Sequence, residues 1–217
     1  MLKIYINGSS GKMGQSLTNL INQSQELNLV TKDISLSDVV IDFSHPDSTI
    51  EIIKDCSRNK IPLIVGTTNL NKATLTEIKM ASKYIPILLA ANMSIGILQL
   101  KESLVAFIKS NKQKIECSIE EIHHSNKVDA PSGTAIEIKD LIKNTDNKSN
   151  INQIKINSKR IDNVFGIHKI TFINEESSID FKHEALSRDI YANGAIKCAM
   201  KIHNLEPNIY KFEDIIN

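Results

Sequence analysis

The chain has 217 residues, room for one large domain or two small ones at roughly 100–200 residues each. Its 26 Lys and Arg against 25 Asp and Glu leave a net charge of +1, so no basic face is expected to displace counterions from a nucleic acid. A hydrophobic content of 41% is that of a globular chain and excludes wholesale disorder.

Leu2, Ile4 and Ile6 alternate as in a strand and run straight into Asn7-Gly8, too short for a signal-peptide core. A glycine-rich turn follows, then Gln15 to Ile21 with helical apolar spacing at Leu17, Leu20 and Ile21. Leu27–Val30 reads as a short strand, and the apolar run Val39–Phe43 as a strand covered on both faces. Ser44-His45-Pro46-Asp47 turns into a helix over about 48–59. Pro62–Val65 is a buried strand ending in the small-residue loop Gly66-Thr67-Thr68. A helix over 72–82 and a strand over 85–90 complete a βαβ series, which predicts a parallel sheet to about residue 93.

The most apolar stretch, 84–100, is broken by Pro86, Asn92 and Gly96 and is not read as membrane-spanning. Beyond it the pattern changes: a helix over 95–108, a strand over 115–119, a helix over 134–143 and a polar loop over 145–155. An antiparallel pair at 170–172 and 179–181 turns at Asn174-Glu175-Glu176, and a last helix spans 192–202. Cys56, Cys117 and Cys198 are far apart with no CxxC, which reads as buried thiols in a reducing compartment. The expectation is a soluble cytoplasmic protein.

Gly8-Ser9-Ser10-Gly11-Lys12-Met13-Gly14 is G-x-x-G-x-x-G between a strand and a helix. Small residues there let backbone N–H groups approach a pyrophosphate at a helix N-terminus. The spacing departs from G-x-G-x-x-G, so a plain tight turn is the competing reading. Asp33 lies near the distance at which a carboxylate reaches the adenosine ribose, or else is a solvated loop charge. Lys12 suits a 2′-phosphate or open solvent, so NADH and NADPH both stand.

The most informative segment is Glu121-Ile122-His123-His124-Ser125-Asn126-Lys127-Val128-Asp129-Ala130-Pro131-Ser132-Gly133-Thr134. Two histidines and a lysine leave a strand for a turn, and Thr134-Ala135-Ile136-Glu137 has capping-box spacing. A helix start after Ser-Gly presents N–H groups to an anion, and the charge suits a small carboxylated substrate with a proton donor of tunable pKa. The competing readings are a solvated loop, a bare helix cap, and zinc held by the vicinal histidines. No third ligand has a familiar spacing, so no metal is assigned. A serine nucleophile lacks its G-x-S-x-G setting.

The string E-x-H-H-x-x-K-x-D-A-P-S-G-T-A from Glu121 to Ala135 resembles the 4-hydroxy-tetrahydrodipicolinate reductase (dihydrodipicolinate reductase) family of bacterial lysine biosynthesis. Gly8–Gly14, Val39–Phe43, Gly66–Thr68, Ala90–Gly96, Ser187-Arg188 and Ala192–Ala195 match as well, so the resemblance covers nearly the whole chain. It implies an α/β fold: a Rossmann-like parallel-sheet cofactor domain over 1–93 and 190–217, and an α+β mixed-sheet domain for substrate and tetramer contacts over 94–189. The implied reaction is NADH- or NADPH-dependent reduction of 4-hydroxy-tetrahydrodipicolinate to tetrahydrodipicolinate with loss of water. By motif position, the resemblance makes His123 a proton donor/acceptor and Lys127 the proton donor. His124, Gly133 and Thr134 would hold the substrate carboxylates. Gly8, Ser9, Ser10, Gly11, Lys12, Met13, Asp33, Gly66, Thr67, Thr68, Ala90, Ala91, Asn92 and Met93 would line the cofactor.

The chain departs from the family at several points. The stretch near Asp33–Ser37 is short, which leaves the ribose-binding residue open. Lys12 stands where Arg is common, and Ala91 and Met93 where Pro and Phe lie beside the nicotinamide. Ile161-Asp162 follows Arg160 where Gly is typical. Two rival readings are a non-catalytic NAD(P)-binding regulator of the same fold and a metal-dependent hydrolase built on His123 and His124. The regulator has no need of His123 and Lys127 together.

Overall fold

Alternation at the amino terminus becomes β1 (Leu2–Asn7), with Ile4 and Ile6 buried. The computed structural model describes residues 1–216. After the glycine turn come α1 (Lys12–Gln23) and β2 (Leu27–Val30). A single 3-10 turn at Ile34–Leu36 leads to β3 (Val39–Asp42), then α2 (Pro46–Asn59), β4 (Leu63–Val65), α3 (Lys72–Ala81) and β5 (Ile87–Leu89). α4 (Ile95–Ser110), β6 (Ile115–His123), α5 (Gly133–Thr145), β7 (Ile151–Arg160), β8 (Ile167–Ile173) and β9 (Ser178–Glu184) follow. α6 (Asp189–Ile202), β10 (Ile209–Tyr210) and α7 (Phe212–Ile216) end the chain.

The contacts divide the chain into two compact units, Met1–Met93 with the chain from Arg188 onward, and Ser94–Ser187. In the first, six parallel strands lie in the order β10-β5-β4-β3-β1-β2. α1 packs with α6, which reaches β3 and β4, while α2 contacts α3 and the same two strands. All of Val39–Asp42 is buried, as a strand covered on both faces must be. Because β2 lies on one side of β1 and β3 on the other, the strand order reverses between β1 and β3. Ligands of doubly wound sheets sit at that reversal, beyond the carboxyl ends of the strands.

The glycine loop leaves β1 at that point. Gly8 has φ +86, and a Cβ there would meet the Phe43 carbonyl oxygen at 2.6 Å. A Cβ on Gly14 would meet the Gly8 carbonyl oxygen at 2.2 Å. α1 therefore begins inside the motif, at Lys12 rather than Gln15, with Gly11 as its N-cap. α2 likewise starts at Pro46 rather than 48, since proline's fixed φ suits a first helical position.

The second unit has one four-stranded sheet in the order β7-β6-β8-β9, with β6 and β7 parallel and the other pairs antiparallel. The odd-numbered residues of β6 join α4, α5 and β8 in a core that includes Ile97, Leu104, Cys117, Ile119, Ile138, Ile170 and Phe172. The Phe107 ring is tilted against those of Phe172 and Phe181, with centroids 4.8 and 5.4 Å away.

The polar loop expected over 145–155 is corrected: β7 begins at Ile151. Ile115 pairs with Ile151 and Cys117 with Ile154, so a bulge breaks the two-residue apolar period that marks a strand. β10 was not anticipated either; two residues pairing with β5 are too few to show a period. No helix among the described residues is long and apolar enough to cross a membrane.

Because Gly14 abuts backbone, Gly14→Ala forces the α1 start away from the loop and should lower stability by about 1–3 kcal/mol. Urea denaturation reads this as a lower midpoint, and an unchanged midpoint would mean the loop yields freely.

Candidate active site

Strand alternation places Glu121 and His123 on the core-facing side of β6, where Glu121 is fully buried and His123 is 8% exposed. A carboxylate there needs partners, since an unpaired buried charge is costly. One Glu121 oxygen bonds His123 Nδ1. The other accepts from Arg160 Nη1 at 3.0 Å and from the Ser132 backbone N–H at 3.3 Å. Arg160, at the end of β7 and opposite His123 in register, also donates from Nε to the Lys127 carbonyl at 3.2 Å and from Nη2 to the Asp129 carbonyl. The guanidinium thus ties the loop to both strands.

Lys127 Nζ lies 2.8 Å from Asp129 Oδ1, and the Gly133 backbone N–H donates to the same carboxylate. Ser132 caps α5, accepting from the Ala135 N–H at 3.3 Å, and meets His168 Nε2 at 3.3 Å. Thr134 is buried just inside the helix. His124 is half-buried where the chain turns, its carbonyl accepting from the Lys127 N–H at 3.0 Å. His123, His124, Lys127, Gly133 and Thr134 therefore cluster within one unit, at the end of β6 and the start of α5.

Burial pushes the Glu121 carboxyl up, but hydrogen bonds from Ser158, His123 and Arg160 outweigh it and hold it below its ordinary value. Burial lowers His123, and the charges of Lys127 and Arg160 add to that against the opposing pull of Glu121. His168 packs edge-on to His123, ring centroids 5.1 Å apart, and burial drives it down to about 3. Burial raises Asp129, yet its bond to Lys127 and the Lys127 charge bring it below normal. Both imidazoles are therefore neutral near pH 7, and that of His123 lies beside the Lys127 side chain. Among the described residues, no three His, Cys, Asp or Glu side chains form a metal-binding group.

The expected cofactor residues lie in the first unit. Ser9, Ser10, Gly11 and Lys12 are exposed, Gly8 and Met13 half-buried. α1 has no side-chain cap and no acidic residue in its first turn. That loop, closed to any Cβ at Gly8 and Gly14, fits a dinucleotide pyrophosphate. Asp33 lies past the end of β2, its carboxylate accepting from the Ser35 N–H at 2.9 Å. Gly66 and Thr67 are buried at the end of β4, with Thr68 exposed. Ala90 and Asn92 are half-buried and Ala91 is exposed, whereas Met93 is 1% exposed, its side chain part of the core.

Sequence reasoning missed Asp42, Glu121 and Arg160. Asp42, fully buried, accepts from Asn7 Nδ2 at 2.9 Å, Thr49 Oγ1 at 2.7 Å, Thr67 Oγ1 at 2.9 Å and the Ser44 backbone and side chain. It binds together the end of β1, the loops after β3 and β4, and the first turns of α2. A lone carboxylate in the apolar run Val39–Phe43 was the signal for Asp42. For Glu121 it was the two-residue period shared with Cys117 and Ile119.

These features define a two-unit α/β protein whose parallel sheet is Rossmann-like. The family profile described as "Dihydrodipicolinate reductase, C-terminus" matches residues 96–216, and "Dihydrodipicolinate reductase, N-terminus" matches 31–93. The 4-hydroxy-tetrahydrodipicolinate reductase of Bdellovibrio bacteriovorus is 35% identical over 225 aligned positions, covering 99% of this chain and 96% of its own. That of Alkaliphilus oremlandii is 34% identical, covering 100% and 99%. Among solved structures, the dipicolinate-bound dihydrodipicolinate reductase from Paenisporosarcina sp. TG-14 is similar with a TM-score of 0.77 over the whole of both chains, at 20% identity, a likeness of fold. The chain belongs to the dihydrodipicolinate reductase family.

His168 predicts an acid sensitivity. Between about 3 and its ordinary 6.5 the unfolded chain binds a proton that the folded one refuses. Stability should therefore fall as pH drops below about 6.5, by up to about 1.4 kcal/mol per pH unit from this group. His168→Gln, lacking the titrating ring, should show a shallower fall between about pH 6.5 and 5 in denaturant titrations; equal slopes would contradict the assignment.

Proposed function

We propose that the protein reduces 4-hydroxy-tetrahydrodipicolinate to tetrahydrodipicolinate with NADH or NADPH and loss of water, a step of lysine and diaminopimelate biosynthesis. The observation that carries this reading is the cluster on β6 and α5, a neutral imidazole and an ammonium beside a helix start. A dicarboxylate needs fixed N–H donors and positive charge, and Gly133, Thr134, His124 and Lys127 supply them. The substrate carboxylate takes over from Asp129, which engages Lys127 and Gly133 itself.

Bound nicotinamide supplies the hydride. Its arrival at the substrate ring leaves negative charge, which Lys127 quenches by giving up a proton from Nζ. His123 exchanges protons at the same end of the site. The dinucleotide is held by the Gly8–Met13 loop, Gly66–Thr68 and Ala90–Met93, with Asp33 offered to ribose hydroxyls and Lys12 to a 2′-phosphate. Residues 1–93 with 190–217 then form the cofactor domain and 94–189 the substrate domain. The assembly is a homotetramer of cytoplasmic protein, in keeping with the resemblance. A cofactor-sensing regulator has no use for a buried carboxylate held against an imidazole.

With enzymatically generated substrate, the purified protein should consume nicotinamide absorbance, and Lys127→Ala should lower kcat about 10²–10⁴-fold, the usual worth of general acid catalysis. Absence of turnover with both cofactors would refute the reading. Near-wild-type turnover in the variant would remove Lys127 from the mechanism.

A further inference from the structure

The geometry points to Glu121 as a positioning residue that fixes His123 in one tautomer, with the proton on Nδ1 and the lone pair on Nε2. This rests on the proposed reductase reading but goes beyond it, since the family motif assigns His123 a role without saying what sets its tautomer.

Glu121 and His123 are two apart on β6, so both side chains leave the same face of the strand. An ionised carboxylate only accepts, so the contact between Glu121 Oε2 and His123 Nδ1 needs the proton on the ring nitrogen. Arg160 and the Ser132 N–H occupy the other carboxylate oxygen, which keeps Glu121 charged and prevents it from turning. Among the described residues, the remaining charged or titratable groups acting on the ring are Lys127 in the loop, itself paired with Asp129, and His168 on β8. Lys127 and Arg160 disfavour a second proton on His123, and His168 is neutral and braces the ring edge-on.

A neutral imidazole with Nδ1–H has Nε2 open, so the resting ring accepts a proton rather than donating one. Lys127 is then the only donor of the pair in the resting site, and His123 gives a proton only after taking one at Nε2. Glu121 would hold the resulting imidazolium in place. Arg160 serves both members, through Glu121 and through the carbonyl of Lys127.

Nitrogen NMR of the ¹⁵N-histidine-labelled protein near pH 7, without substrate, reads the tautomer directly. The His123 signals, assigned by loss in His123→Gln, should show Nδ1 protonated and Nε2 unprotonated. An Nε2–H tautomer or an imidazolium would overturn the inference whether or not the reductase reading holds. In turnover assays on wild type and Glu121→Gln, the amide should lower kcat at least about 10²-fold, with KM changed less than about threefold. It should also shift the acidic limb of the kcat/KM profile. Glu121→Asp, which keeps the charge, should recover part of kcat. Glu121→Gln with wild-type kcat, pH profile and tautomer would refute the role, and so would a loss confined to KM. Should that variant fail to fold, the wild-type tautomer and Glu121→Asp still decide. Failure of the wild type to turn over substrate would refute the reductase reading and leave the tautomer test standing.

Discussion

A carboxylate without solvent access must be answered by donors, and in this chain the answer given to Glu121 organises the second unit. One oxygen is matched by His123 Nδ1, the other by Arg160 and the backbone at the start of α5. Three pieces distant in sequence are thereby held to one group: the end of β6, the end of β7 and the N-cap of α5. Removing one member of such a buried pair strands the other, at a typical cost of 3–5 kcal/mol. The same contacts that stabilise the strand ends therefore also set the acid–base character of the site.

A parallel arrangement holds in the first unit. Asp42, equally buried, ties the end of β1 to the loops after β3 and β4 at the point where strand order reverses. The connection from β2 to β3 crosses β1 with only residues 31–38 and a single 3-10 turn, where a parallel crossover more often carries a helix. The shortened segment noted in the sequence corresponds to this bare crossover. The glycine loop stands apart from this crossover, held by β1, Phe43 and α1.

Periodicity and punctuation made most elements legible. β3 stood out as the mostly apolar run Val39–Phe43, and α5 by its apolar positions, although its cap falls on Ser132 rather than on Thr134, to which the capping-box spacing with Glu137 pointed. β7 did not, because its bulge displaces the apolar residues by one. The resemblance carried by the 121–135 string identified His123 and Lys127, and the structure brings both into one cluster with His124, Gly133 and Thr134. What the string did not disclose was Arg160, whose place depends on β7 pairing with β6, a non-local event. Glu121 was readable as a charge on a buried face, but its partners were not. Met93, placed by its motif among the lining residues, has its side chain buried in the first unit.

The central claim is that the end of β6 and the start of α5 form a ready-made dicarboxylate site beside a proton-accepting imidazole. The most direct test is a crystal structure of the protein soaked with dipicolinate. The account predicts one carboxylate on the Gly133–Thr134 backbone, displacing Asp129 and taking the Lys127 ammonium, with the ring facing His123 Nε2. A dipicolinate bound elsewhere, or bound here with Asp129 still holding Lys127 and Gly133, would contradict it.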